Sequence, residues 1–121
     1  MKGVEKYNCC ADTLVPVRDA LDVLNGKWKI PILVSMMLGN QRFTAIQNNI
    51  GCISPKVLAK ELKDLEANQF IKRVIVEDYP VKIIYQLEPY ADTIIPIIDV
   101  LRAWGQNHRK KLFDSTHQNG I

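Results

Sequence analysis

A chain of 121 residues, 47% hydrophobic and 24% charged, is long enough for one domain and too short for two. Three cysteines are too few, and odd in number, for a disulfide scaffold, and no apolar run reaches the ~18–20 residues of a membrane helix. The net charge is +3, mildly basic, so where the charge lies matters more than its sum.

The N-terminal MKGVEKYNCC has no apolar leader core, which predicts a cytoplasmic protein with reduced thiols. Residues 1–13 are expected to form a flexible arm, 14–113 the folded unit and 114–121 a frayed tail. A first helix is predicted over 16–25. Pro16 stands at its start, and Val17, Ala20, Leu21 and Leu24 repeat at helical spacing. A second is predicted over 28–38, with Ile30, Leu33, Val34, Met37 and Leu38 inward and Pro31 in its first turn. A third opens at Thr44, where Thr44-Ala45-Ile46-Gln47 has the form of a capping box. Gly26, Gly39 and Gly51 close these three segments, each suited to the left-handed position after a helix.

The fourth helix, predicted over 54–67, has the clearest start: Ser54 as N-cap and Pro55 at the first helical position. At 100° per residue, Leu58, Leu62 and Leu65 share one face. Lys56, Ala59, Lys60 and Lys63 share the opposite one, and Glu61 and Asp64 flank the leucines. Two β-branched runs, 71–77 and 82–87, joined by Asp78-Tyr79-Pro80-Val81, predict a hairpin. A long last helix is predicted over 89–113, with Ile94, Ile97, Ile98, Leu101 and Trp104 in one wide apolar band. The fold class is α+β, mainly α: a winged helix-turn-helix with an N-terminal helix and a long C-terminal dimerisation helix. In that order the helix over 54–67 enters the DNA major groove, and the hairpin over 71–87 is the wing.

The segment Leu24-Asn25-Gly26-Lys27-Trp28-Lys29 resembles the GGKW signature of the HxlR-type transcriptional regulators, relatives of the MarR-like winged-helix proteins. Arg42-Phe43-Thr44, Ile53-Ser54-Pro55-Lys56-Val57-Leu58, Leu62-Lys63-Asp64-Leu65-Glu66 and Phe70-Ile71-Lys72-Arg73 sit at matching spacing. So do Pro80, Tyr85-Gln86-Leu87 and Leu101-Arg102-Ala103-Trp104-Gly105, and the match runs over 15–105. The resemblance implies a homodimeric DNA-binding regulator, in the family's habit a repressor, on a palindromic operator. It also implies an effector that is a reactive small molecule or oxidant, sensed by a Cys placed before a Pro-Val. This chain departs there: Val15 precedes Pro16-Val17. Cys52 replaces the family's Gly before Ile-Ser, and Glu88 stands where the last helix often opens with Thr.

The candidate DNA-binding residues are Arg42, Ser54, Lys56, Ala59, Lys60, Lys63, Tyr79 and Lys82. Lysines near phosphates release counterions, and the N-terminal part of a recognition helix reaches the base edges. The bland alternative is a solvated helix face on a protein-interaction module without specific DNA binding. The wing is weakened for DNA contact by Glu77 and Asp78. The apolar band of the last helix exceeds what one domain face needs, so Leu14, Ile94, Ile97, Ile98, Leu101 and Trp104 are the candidate dimer interface. Cys9, Cys10 and Cys52 are candidate thiol sensors, against the alternative of inert small hydrophobes. No cofactor and no metal are expected: there is no CxxC, and His108 and His117 lack ligand spacing. There is no catalytic Ser/His/acid set, paired-carboxylate motif or phosphate-binding Gly loop, so the chain reads as a non-enzyme.

Overall fold

The computed structural model describes residues 10–119. Four helices come first: α1 (Cys10–Val23), α2 (Lys29–Met37), α3 (Phe43–Ile50) and α4 (Pro55–Ala67). A hairpin of β1 (Ile71–Val76) and β2 (Lys82–Leu87) follows, then a 3₁₀ turn (Pro89–Ile94) and α5 (Ile95–Asn119). The helix-turn-helix, wing and long C-terminal helix are all present. Among the described residues no helix is long and apolar enough to cross a membrane.

The predicted boundaries hold best where the local chemistry is strongest. The Ser54 Oγ accepts the backbone N–H of Val57 at 3.2 Å, Pro55 opens α4, and the helix ends at Ala67 as expected. Gly26, Gly39 and Gly51 adopt φ of 82°, 105° and 98°, the left-handed conformation their positions demand.

Elsewhere the structure corrects the reading. α1 begins at Cys10, so Pro16 lies inside it and residues 10–13 of the expected arm are helical. α1 is exposed along most of its length, so its apolar residues follow no pattern set by this chain's own core. In α2 the buried stripe is Lys29, Ile32, Leu33 and Met36, at spacing i, i+3, i+4, i+7, while Leu38 is 72% exposed beyond the helix end. A stripe that begins with a lysine is invisible to a purely apolar pattern. The expected capping box fails because α3 starts at Phe43 with Arg42 as an N-cap that makes no side-chain bond. The Gln47 Nε2 instead donates to the carbonyl of Ile53 at 3.3 Å, tying α3 to the entry of α4.

The strands are antiparallel, in register from Ile71 opposite Leu87 to Val76 opposite Lys82. The Tyr85 N–H donates to the Gln41 carbonyl at 2.7 Å, which fastens the hairpin to the turn between α2 and α3. The last helix is not one piece. Pro96 has no N–H to give the carbonyl of residue 92, and the chain runs as a 3₁₀ turn until α5 starts at Ile95. α5 then continues past Phe113 to Asn119, through most of the expected tail.

The core gathers Ile32 and Leu33 of α2, Ile46 of α3, Leu58, Leu62 and Leu65 of α4, and Phe70, Ile71, Ala91 and Ile94. Ile94 is only 5% exposed and belongs to this core, so it is not a surface residue available to a second subunit.

Candidate nucleic-acid interface

Burial of the leucine stripe fixes the rotation of α4. With Leu58, Leu62 and Leu65 in the core, Lys56, Lys60 and Lys63 stand exposed on the far side, and Ala59 is half-buried between them. The exposed Ser54 caps the same helix start.

A second constraint comes from Lys29, only 5% exposed. Its Nζ lies 2.8 Å from the Glu61 Oε2 and 3.5 Å from the Asp64 Oδ2 of α4, and donates to the Asn25 Oδ1 at 3.3 Å. Burial of the ammonium lowers its pKa. The hydrogen bond and charge of Glu61, with the charge of Asp64, more than offset this and raise it above the ordinary lysine value. The ion pair locks α2 to the flank of α4. Its one sequence signal is that Lys29 falls in register with Ile32, Leu33 and Met36.

The remaining candidates are dispersed. Arg42 is exposed at the start of α3. Tyr79 is fully exposed at the hairpin tip. The Lys82 Nζ lies 3.9 Å from the Asp78 Oδ2, so its charge is partly engaged. Arg73 and Tyr85, not among the expected contacts, line a cleft between α4 and the hairpin with Ala59, Leu62, Lys63 and Glu66.

Of the expected interface residues, Leu14 on α1 and Ile97, Leu101 and Trp104 on α5 are exposed, Trp104 at 65% and stacked on His108. Ile98 is half-buried and packs against the core. Leu112 and Phe113 extend the exposed apolar surface along α5. Cys52 is a free, exposed thiol in the turn before α4. Cys10 opens α1, and Cys9 lies outside the described residues.

A family model described as an HxlR-like helix-turn-helix matches residues 23–113. The HTH-type transcriptional regulator YtcD of Bacillus subtilis is 33% identical over 112 residues, covering 93% of this chain and 84% of the relative. YodB, an HTH-type transcriptional regulator of the same organism, is 33% identical over 94 residues, covering 77% and 84%. Among solved structures, the redox regulator HypR in its reduced form superposes with a TM-score of 0.74 at 31% identity, over 82% of this chain and 98% of that one.

Proposed function

This chain belongs to the HxlR-like helix-turn-helix family of transcriptional regulators, and from that membership we propose that it is a cytoplasmic repressor that binds a palindromic operator as a homodimer. The observation that carries the DNA-binding reading is the α4 face, with three exposed lysines and a short Ala59 opposite a fully buried leucine stripe. In the major groove Ser54, Lys56 and Ala59 read base edges, while Lys60 and Lys63 neutralise phosphates. Arg42 and the wing residues Tyr79 and Lys82 are outlying contacts to the backbone. Lys56→Ala and Lys60→Ala are each expected to weaken duplex binding with the melting temperature unchanged, and Lys60→Ala, which removes one phosphate contact from each subunit, lowers the slope of log K against log salt by about two units per dimer. Unchanged affinity in both variants contradicts the assignment of α4.

The apolar surface of Ile97, Leu101 and Trp104, joined by Leu14 and the half-buried Ile98, supports the homodimer. Oxidants or electrophiles are the proposed effectors. HypR is a redox regulator, and YodB is known in diamide-treated and quinone-bound forms. Because Val15 occupies the family's usual sensor position, the response here falls to Cys9, Cys10 or the exposed Cys52. Loss of DNA binding under a thiol oxidant, reversed by reductant and absent when all three cysteines are serine, is the expected result. An oxidant-insensitive wild type removes thiol sensing and leaves the regulator.

A further inference from the structure

The cleft between α4 and the hairpin, about 450 Å³, is lined by Ala59, Leu62, Lys63 and Glu66 of the helix and by Arg73 and Tyr85 of the strands. Arg73 and Tyr85 are directly opposed cross-strand partners, so both side chains leave the same face of the sheet. Glu66 is the one acid in the lining, and its Oε2 accepts the backbone N–H of Arg73 at 3.2 Å. That bond pins the root of the wing to α4 and engages the carboxylate with the backbone. Among the described residues neither the Arg73 guanidinium nor the Lys63 ammonium enters an ion pair. Two unpaired cations therefore face one engaged acid, and the lining is net positive. Ala59 adds only a methyl group, so a bound chain can approach the helix closely.

A helix lying in the major groove is flanked on both sides by sugar–phosphate chains, and the cleft opens beside α4 on the wing side. We propose that this cleft seats the strand on that side. Arg73 grips a phosphate from the sheet side, Lys63 holds it from the helix side, and the Tyr85 hydroxyl donates to a phosphate oxygen. The inference rests on the DNA-binding reading and adds to it the wing root as an anchor. The wing's tip is less suited to that role, since Glu77 and Asp78 immediately precede Tyr79 and Asp78 engages Lys82.

The test is anisotropy binding of the full chain to a short random-sequence duplex across a series of NaCl concentrations, so no operator is needed. Arg73→Ala is expected to lower the slope of log K against log salt by about two units per dimer, one from each subunit, and Arg73→Lys to retain most of it. Tyr85→Phe weakens binding without changing the slope. Glu66→Gln keeps an oxygen for the Arg73 N–H and tightens binding, whereas a purely structural Glu66 would leave DNA affinity unchanged or lowered. A steep wild-type slope that Arg73→Ala does not alter overturns the cleft as a phosphate seat while leaving the α4 reading intact. A wild type that binds no duplex at low salt overturns both.

Discussion

At Lys29 three side-chain oxygens converge on a buried ammonium, from Glu61 and Asp64 of α4 and from Asn25. Replacing it with Met strands the Glu61 carboxylate in a nearly dry site and is expected to cost about 3 kcal/mol. Urea unfolding measures that loss. Lys29→Met combined with Glu61→Leu should recover most of it, because the pair is then replaced by packing rather than broken. The pH dependence has a definite sign. The folded pKa is raised above the ordinary 10.5, so the stabilisation is complete below that value and drains away as pH climbs through the raised one. The gap in melting temperature between wild type and Lys29→Met is therefore level near neutral pH and narrows above 10.5. A gap that stays level through the alkaline range argues against the pair as the source.

Among the elements, α4 has the most explicit local instructions, and the turn that closes α3 and leads into it can be weakened without touching the DNA face. Gly51 sits at φ 98° with open space around a hypothetical Cβ, so Gly51→Ala suffers backbone strain and no clash. A loss of about 1 kcal/mol in urea unfolding is expected, and no loss contradicts the strained turn. α4 was legible in the sequence because its cap, its proline and its leucine stripe agree on one start and one rotation. The hairpin was legible from its β-branched runs, with only Glu77 moved from strand to turn. α1 was misjudged at its start because most of it lies outside this chain's own core, so burial never disciplines its pattern. The break at Pro96 was missed because the apolar band of Ile94, Ile97 and Ile98 runs across it without interruption. The α4 lysines followed from helical spacing alone. The cleft residues Arg73 and Tyr85 did not, since their pairing depends on strand register and on how the hairpin leans on α4.

At the scale of the whole molecule, the α5 surface and the α4 face divide the work: one is proposed to join two copies, the other to meet DNA. Trp104, 65% exposed in the single chain, is the large aromatic of the first. Trp104→Ala is expected to weaken the dimer by roughly 2 kcal/mol, about thirtyfold in Kd, with each chain still folded. Sedimentation across a dilution series checks this, and a variant that remains dimeric at wild-type concentrations removes Trp104 from the interface. A dimer brings two α4 helices to one duplex, so specific affinity and dimer stability should fall together. Sequence-specific DNA binding is checked by titrating the reduced wild-type protein onto the DNA upstream of its own gene, beside a random duplex of equal length at one moderate salt concentration. The upstream DNA is expected to bind at least about a thousandfold more tightly. Equal, weak binding to both, at protein concentrations where the dimer is intact, contradicts an operator at that site and leaves only the sequence-independent contacts of the α4 lysines.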